Sequence, residues 1–188
     1  MAPKTLVGCE EFERMCLAQE LGHCELVDGE VIHLVPGGPE HSFVSNNVGR
    51  IIGNYVSRHR LGRVFGNEAG IHTRFEPPCT RGMDVAYFSY RRLPRGRLPK
   101  GFFRRPPELV VEVLGEDSTW ASVERKVREY HEMGVDMVWI ADPDTRTVKQ
   151  CPRGAEPAVI PATGELGGGD ILPGFTVTVA QFFDEDAQ

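Results

Sequence analysis

The chain has 188 residues, of which 40% are hydrophobic and 26% are charged, and this balance is typical of an ordinary soluble globular domain. No apolar run reaches the roughly 18 residues that a membrane-spanning helix needs, so we expect no membrane association. Five cysteines, odd in number and without CxxC spacing, argue against a zinc ribbon and favour a reducing, cytoplasmic location. We expect one domain over residues 1–188, with frayed ends at 1–7 and 184–188.

Charge is unevenly distributed along the chain. The formal net charge of −6 by itself disfavours a nucleic-acid partner. However, residues 91–105, the basic loop, contain no acidic residue and seven basic ones, which are Arg91, Arg92, Arg95, Arg97, Lys100, Arg104 and Arg105. The other 14 basic residues stand against 27 acidic ones, so the rest of the chain carries −13. The basic loop is therefore either a phosphate-binding surface or a solvated loop rich in Pro and Gly.

The first sixty residues predict two helices separated by a hairpin. Apolar residues at near-helical spacing indicate a short amphipathic helix over 8–21. Asp28-Gly29 stands between two alternating apolar runs, which is a strong signal for a β-hairpin. The apolar periodicity then predicts a second helix over about 40–59.

Strand signals dominate the rest of the chain. Residues 63–75 indicate a strand interrupted by a Gly-Asn bend and ended by a Pro-Pro pair, and 83–88 indicate another strand with Asp84 near its start. Towards the C-terminus, 147–151 predict a short edge strand, whereas 152–170 are rich in Gly and Pro and predict mostly irregular structure.

Residues 107–143 predict a strand, a helix and a second strand that is parallel to the first. Ser118 or Thr119 can cap the helix, and Gly134 can end it. The first strand is apolar except for Glu112. Because an unpaired buried carboxylate costs several kcal/mol, we expect Glu112 to have a partner, which is a metal ion, a cationic side chain or water.

Asp84 and Glu112 are expected on successive strands, and Lys126 on the following helix. If the strands pair, both carboxylates project from one end of the sheet, where two oxygen ligands suit Mg²⁺ or Mn²⁺. A lysine beside the metal can stabilise developing negative charge or orient an attacking water. Two carboxylate ligands, a metal ion and a lysine together can catalyse phosphodiester hydrolysis. By spacing alone, a Glu112–Lys126 ion pair that only braces strand against helix is the simpler interpretation.

Several long motifs occur together and in order: CELVDGEVIHLVPGGPEHSFV (24–44), GMDVAYFS (82–89), PPELVVEVLGEDS (106–118), GVDMVWIADP (134–143) and LPGFTVTVAQFF (172–183). With Lys126 and Tyr130 between them, these motifs resemble the Uma-type family of restriction endonucleases in the PD-(D/E)XK nuclease superfamily. The resemblance implies an α/β, restriction-endonuclease-like fold, a central mixed sheet flanked by helices. It also implies a Mg²⁺-dependent endonuclease that acts on DNA.

The same resemblance implies roles for particular residues. Asp84 corresponds to the Asp of the PD element and Glu112 to the acidic metal ligand, with the Val113 carbonyl as a further ligand. Lys126 corresponds to a catalytic lysine displaced from the usual position, where this chain has Leu114. The chain departs from the pattern at Met83, which replaces the Pro before the Asp, and at Gly-Glu, which replaces Ser-Pro after the Glu strand.

Two accessory residues are candidates, each with a structural alternative. His41 matches a position that the family usually keeps and either contacts phosphate or stabilises the loop before the second helix. Glu30, after the hairpin turn, is either a further acidic ligand or a solvated position. The other histidines lack zinc-ligand spacing, and Trp120 and Trp139 are expected in the core.

A homodimer is expected, because a two-fold axis can place two sites on antiparallel DNA strands. Two further functions stay open from the sequence. One is a non-catalytic nucleic-acid-binding or interaction module on the same fold. The other is a nuclease that acts on RNA or small nucleotides, which the net acidity mildly favours.

Overall fold

Residues 6–116 and 118–184 are described by a computed structural model, in which they form three α-helices and ten strands. The helices are α1 (Cys9–Leu17), α2 (Pro39–Arg58) and α3 (Trp120–Met133). The strands are β1 (Cys24–Val27), β2 (Glu30–His33), β3 (Gly62–Phe75), β4 (Pro78–Ser89), β5 (Leu109–Val113), β6 (Met137–Asp142), β7 (Thr147–Pro152), β8 (Ala158–Ile160), β9 (Glu165–Gly167) and β10 (Thr176–Thr178).

Eight of these strands form one mixed sheet in the order β2-β1-β4-β5-β6-β7-β8, with β3 also paired to β4. The β5–β6 pair is parallel and the other pairs are antiparallel, which confirms both the central mixed sheet and the predicted strand–helix–strand unit. Strands β9 and β10 form a separate two-stranded sheet.

The long strand β4 determines where the sheet opens. One of its edges pairs with β3 along most of its length. The other edge pairs with β1 at Thr80 and with β5 at Val85, Ala86 and Tyr87. Residues 81–84 therefore lie between β1 and β5, where neither strand continues the ladder. This opening places polar side chains at the middle of the sheet rather than at its outer edge.

Each face of the sheet packs against one helix. Residues Val44, Val48 and Ile52 of α2 are buried with Val111 and Trp139 on one face. On the other face, Val123 and Tyr130 of α3 are buried with Ala86, Val110 and Ile140. Glu112 shares its parity with Val110, so its side chain lies on the α3 face of the sheet.

Local sequence signals are matched by the backbone. Asp28 and Gly29 take the positive φ values of 50° and 80° that a tight hairpin turn requires. The Thr119 hydroxyl accepts a hydrogen bond from the Ser122 amide at the start of α3, and Gly134 ends that helix at φ 107°.

The predicted Gly-Asn bend in the first long strand is a β-bulge. The register of β3 against β4 shifts between Gly66 and Ala69, so that Asn67 and Glu68 both stand opposite Asp84. Both bulge residues have positive φ, 57° and 54°. Such conformations are costly for residues other than glycine and cluster at functional sites.

Two sequence predictions are wrong in the C-terminal half. Strand β7, expected at the edge of the sheet, lies between β6 and β8. The stretch 152–170 is mostly irregular as predicted and adds only the short strands β8 and β9. Trp120, expected in the core, is 52% exposed, whereas Trp139 is 1% exposed as predicted. At the ends predicted to fray, 1–5 and 185–188 lie outside the described residues, while the Val7 amide donates to the Gly29 carbonyl. Within 6–116 and 118–184, the structure contains no helix that is long and apolar enough to cross a membrane.

Candidate active site

A cleft of about 500 Å³ opens where β1 and β5 separate along β4. Among the ionisable side chains that line it, four come from four different elements: Glu25 from β1, Asp84 from β4, Glu112 from β5 and Lys126 from α3. The three carboxylates of this set are each less than 10% exposed. The cleft therefore concentrates negative charge at a place that water can enter but that the sheet largely surrounds.

Asp84 is held by the end of β5 and by α2. Its Oδ2 accepts a hydrogen bond from the Val113 amide at 2.8 Å and lies 3.3 Å from Nε2 of His41. The antiparallel register of Val85 with Val111 places Asp84 opposite Glu112 on the neighbouring strand. Both side chains consequently reach the cleft from one end of a strand pair, as the sequence predicted.

Glu112 has two hydrogen-bonding partners. Its Oε2 lies 3.0 Å from Nζ of Lys126, and its Oε1 accepts a 2.7 Å hydrogen bond from the Tyr130 hydroxyl. Burial raises the pKa of Glu112 to about 7, with the negative charge of Asp84 adding to the increase and Lys126 and Tyr130 opposing it. The carboxyl group can therefore gain or lose a proton near neutral pH.

Lys126 lies between two carboxylates, with Nζ at 3.0 Å from both Glu112 and Glu25. Burial alone would lower its pKa, but Glu112 and Glu25 outweigh that effect and raise it above the ordinary value. The ammonium group is therefore charged at neutral pH. It can stabilise negative charge or orient a water molecule, but it cannot serve as the base that removes a proton.

Glu25 is the residue of this site that the sequence interpretation missed. Its Oε2 accepts a hydrogen bond from Nη1 of Arg81 at 2.8 Å, and Arg81 in turn pairs with Glu129 through Nε at 2.7 Å. Burial raises the pKa of Glu25, but Lys126 and Arg81 outweigh it and leave the value below the ordinary one. A buried network of alternating charges thus continues from Glu112 through Lys126 and Glu25 into the protein.

Glu30, the accessory acid that the sequence suggested, is not among the residues that line the cleft. It pairs with Val27 beside the hairpin turn, whereas Glu25 lies further along β1, next to the opening in the sheet. No local sequence signal identifies Glu25, because an acid that alternates with the apolar Leu26 is the ordinary pattern of a strand with one solvated face, and only the pairing of β1 with β4 encloses it.

His41 lies in the first turn of α2 and faces Asp84. The hydrogen bond to Asp84 raises the pKa of His41, although partial burial opposes the shift. Gly37 leaves room for this ring, because a Cβ atom at position 37 would lie 2.7 Å from Nδ1 of His41. The glycine before α2 therefore helps to place the imidazole beside the aspartate.

Gly37→Ala is therefore expected to displace the imidazole from Asp84 and to lower the pKa of His41 towards its ordinary value. An NMR titration of the His41 ring protons measures this. Gly38→Ala is the matched control, since nothing lies within 4 Å of a Cβ atom at position 38. An unchanged His41 pKa in Gly37→Ala would show that the ring does not depend on this space.

The side chains of the cleft meet the needs of a weakly coordinated divalent metal ion. Within 6–116 and 118–184, no group of three or more His, Cys, Asp or Glu side chains is arranged to hold one. Asp84 and Glu112 nevertheless offer two carboxylates on one side of an open cleft. Mg²⁺ and Mn²⁺ commonly bind with so few protein ligands, because water and substrate phosphate complete their coordination. The residues present therefore fit such an ion.

The basic loop is only partly available for binding. Arg92 pairs with Asp136 and donates to the Pro107 carbonyl, and Arg104 pairs with Glu13 at 2.9 Å. Within the described parts of the chain, three of the seven cations are exposed and make no hydrogen bond, ion pair or ring contact: Arg97, Lys100 and Arg105. Arg95 lies over the Tyr90 ring. The other three pair with acids outside the basic loop, Glu13, Glu108 and Asp136, which the charge pattern of residues 91–105 alone does not reveal.

The position of the basic loop also limits its role. Ser89 follows Asp84 by five positions on β4, which corresponds to about 17 Å along the strand. Arg91 and Arg92 follow Ser89 and therefore lie beyond the far end of β4 from the cleft. The loop returns towards the cleft at Phe102, which lines it.

Comparison with known structures identifies the class of fold. The structure is similar to the crystal structure of a "putative nuclease belonging to DUF820" from Anabaena variabilis, with a TM-score of 0.77 and 20% sequence identity. The match covers 94% of this chain and 97% of that one. This chain thus has the α/β fold of that protein. In this chain, Glu25, Asp84, Glu112 and Lys126 line the central cleft.

The family follows from the sequence match. The model of the Uma2 family, described as "Putative restriction endonuclease", matches residues 9–180, and the chain belongs to this family. No curated protein matches the sequence. The family membership confirms the resemblance drawn from the sequence motifs.

Proposed function

We propose that the protein is a Mg²⁺- or Mn²⁺-dependent endonuclease that hydrolyses phosphodiester bonds in DNA. The observation that carries the proposal is that Asp84, Glu112 and Lys126, which are separated in sequence, line one cleft. Membership of the Uma2 family supports the same reaction class.

In this proposal Asp84 and Glu112 hold the metal ion, with the Val113 carbonyl as a further ligand. A bound divalent ion supplies Lewis acidity towards the phosphate and favours ionisation of a water molecule. Lys126, which stays protonated, stabilises the negative charge that develops on the phosphate. Tyr130 fixes Glu112 by its hydrogen bond, and His41, beside Asp84, can donate to a phosphate oxygen when its ring is protonated.

Metal binding should depend on pH because of Glu112. A metal ligand must be deprotonated, and burial raises the pKa of this carboxyl to about 7. The affinity for Mn²⁺ is therefore expected to increase from pH 6 to pH 8 and to level off above that. Calorimetric titrations in buffers of different ionisation enthalpy measure the protons released. Constant affinity over this range, with no proton release, would contradict the role of Glu112.

Cleavage of supercoiled plasmid in the presence of Mg²⁺, Mn²⁺ or EDTA tests the proposed function. Conversion to open-circular or linear DNA with either metal, and none with EDTA, is the expected result. The same assay on a single-stranded RNA of matched length distinguishes the alternative of an RNA nuclease. Absence of cleavage of any substrate with either metal would rule the proposal out.

A second candidate function is a non-catalytic nucleic-acid-binding or interaction module. The observation that favours it is the close pairing of Lys126 with both Glu112 and Glu25, since such a network can brace α3 against the sheet without performing chemistry. The two candidates differ in metal dependence: only the nuclease needs a divalent ion at Asp84 and Glu112.

The basic loop is proposed to contact DNA through the cations that have no partner among the described residues. Replacing Arg97, Lys100 and Arg105 by glutamine should weaken binding and flatten its salt dependence, by about 0.9 in log–log slope for each phosphate that is no longer neutralised. Arg92→Gln is a contrasting variant, because Arg92 is bound to Asp136. Arg92→Gln should lower the stability of the fold and have little effect on the slope of log K against log salt concentration. A salt titration of DNA binding and a urea titration measure both effects.

The homodimer also remains a prediction. Two of the edge strands of the large sheet present exposed apolar residues, Ile32 on β2 and Val159 on β8, where a second copy could pair. Light scattering at micromolar concentration measures the oligomeric state. A cytoplasmic location likewise stays a prediction.

A further inference from the structure

A second concave surface, of about 600 Å³, begins at Asp84 and extends between α2 and β3. It shares Gly37, His41, Glu68 and Asp84 with the candidate active-site cleft, so the two form one continuous depression. We call it the α2 groove. On α2 it is lined by Ser42, Ser45, Asn46, Gly49, Arg50 and Gly53, and on β3 by residues 64–68.

The α2 side of the groove is one stripe of the helix. Its residues recur at intervals of three or four, and the stripe from position 42 to position 53 is about 16 Å long. It contains no hydrophobic residue, whereas Val44, Val48 and Ile52 on the other side of α2 are buried in the core. The helix is therefore amphipathic, with a polar side that borders a groove instead of open solvent.

Two glycines of α2, Gly49 and Gly53, leave open space in the groove because they carry no side chain. A glycine inside a helix is less favourable than alanine by about 0.5–1 kcal/mol, so its presence needs a reason. Packing does not supply that reason at Gly53, because nothing lies within 4 Å of a Cβ atom built there. At Gly49 the nearest atom is Cγ2 of Val85 at 3.7 Å, an ordinary contact. The missing side chains leave space that no other described residue fills.

Hydrogen-bond donors line this space. The Ser45 hydroxyl oxygen is buried and has no hydrogen-bonding partner among the described residues. Arg50 donates to Oδ1 of Asn47 at 2.5 Å, and Asn47 is anchored on the Gln181 and Phe182 carbonyls. No described carboxylate pairs with Arg50. Its guanidinium is thus oriented by a fixed neighbour while its charge is left uncompensated.

We propose that the α2 groove binds the sugar–phosphate backbone of the nucleic-acid strand that is cut, on one side of the scissile phosphate. Ser, Asn and Arg donors are the side chains that contact phosphate and sugar in protein–DNA complexes. A length of about 16 Å accommodates about five nucleotide steps of 3.4 Å. The inference rests on the proposed function, because it takes the cleft at Asp84 as the place of cleavage.

Gly53→Gln tests the groove by filling it. The variant should fold at least as stably as the wild type, since glutamine is a better helix former than glycine and nothing lies within 4 Å of a Cβ atom at this position. The dissociation constant for a labelled DNA duplex, measured by fluorescence anisotropy in EDTA, should rise about tenfold or more, because the glutamine side chain occupies the space that the bound strand needs. Asn54→Gln, exposed and outside the groove, is the matched control and should bind like the wild type.

Arg50→Gln gives a second, independent measurement. Removal of one cation that neutralises a phosphate should reduce the slope of log K against log salt concentration by about 0.9. Gly53→Gln should leave that slope unchanged, because it removes space and no charge. Melting temperatures of all three variants confirm that differences in binding do not arise from unfolding.

The outcomes distinguish a failure of the groove proposal from a failure of the proposed nuclease function. Weakened binding in Gly53→Gln and Arg50→Gln, with normal binding in Asn54→Gln, supports the groove even if no metal produces cleavage. Normal binding by both groove variants overturns the inference and leaves the nuclease proposal standing. If the wild type binds no duplex or single strand of DNA or RNA, both are overturned.

Discussion

Glu112→Gln is expected to reduce the single-turnover rate of DNA cleavage by at least about 10³-fold, because it removes a metal ligand at the centre of the site. Binding of DNA should be kept or improved, since the change also removes a negative charge that faces the substrate. Lys126 keeps Glu25 as its partner at 3.0 Å, so the variant should remain folded. Quench-flow experiments at saturating DNA measure the cleavage rate. Fluorescence anisotropy titrations measure DNA binding separately.

Glu124→Gln is the matched control for this variant. Glu124 is exposed on α3 and does not line the active-site cleft, so its replacement removes the same charge without removing a ligand. It should cleave within a few-fold of the wild type. A Glu112→Gln rate within tenfold of the wild type would assign Glu112 to the alternative role of bracing α3 against the sheet.

Stability provides a second distinction between these roles. The pKa of Glu112 is raised in the folded protein to about 7 from 4.5, so the folded state binds the proton more tightly than the unfolded state. Stability associated with this group is therefore present below pH 4.5 and is lost as pH rises through 7. Near pH 8, Glu112→Gln should unfold at a urea concentration no lower than the wild type. If Glu112 only braced α3 against the sheet, Glu112→Gln would unfold at a lower urea concentration than the wild type.

Arg81→Met is expected to have the largest effect on stability, a loss of about 3–5 kcal/mol in the free energy of unfolding. Arg81 is 5% exposed and binds Glu25 and Glu129, both of them buried. Methionine preserves much of the volume but leaves two enclosed carboxylates with one cationic partner fewer. Urea unfolding at pH 7 measures the loss.

Arg14→Met is the control for Arg81→Met, because the Arg14–Glu20 pair is exposed and should contribute less than about 1 kcal/mol. The pH dependence gives a further check. In the wild type, burial raises the pKa of Glu25, but Lys126 and Arg81 outweigh this effect and hold the pKa below 4.5. The stability that Glu25 contributes is therefore present above pH 4.5 and is lost in acid. The deficit of Arg81→Met should therefore shrink below pH 4.5. An equal deficit at pH 3 and pH 7 would contradict an electrostatic origin.

Much of the fold could be predicted from local sequence signals. The Asp28-Gly29 turn, the Thr119 cap and the Gly134 end of α3 depend on backbone preferences of a few adjacent residues, and each is present as expected. The missed strands β8 and β9 are three residues long and lie among Gly and Pro. Pairing with β7 and β10, and not local preference, makes them strands.

The candidate site was only partly predictable. Glu112 stood out because it is an acid within an apolar strand, and the order of the elements indicated Asp84 and Lys126. Glu25 could not be placed in the same way, because its role depends on where β1 joins β4. Choosing Glu30 instead reflects the same limitation, since both acids flank one hairpin and only the pairing of distant strands decides which of them reaches the cleft.

The basic loop shows why charge patterns in sequence overestimate available charge. No acidic residue lies between positions 91 and 105, yet Glu13, Glu108 and Asp136, which lie outside this segment, pair with its arginines. The groove beside α2 shows the converse. Its serines, asparagine and glycines form no recognisable motif, and only the folded helix places them in a line that begins at the active site.

The central claim is that Asp84 and Glu112 together hold one divalent ion. Crystals of the protein soaked with Mn²⁺, with anomalous diffraction data, test it most directly. We predict one anomalous peak in the cleft, at about 2.0–2.2 Å from oxygen atoms of both carboxylates, and its disappearance in Glu112→Gln. A Mn²⁺ ion bound elsewhere, or a cleft without an anomalous peak at millimolar Mn²⁺, would contradict the account.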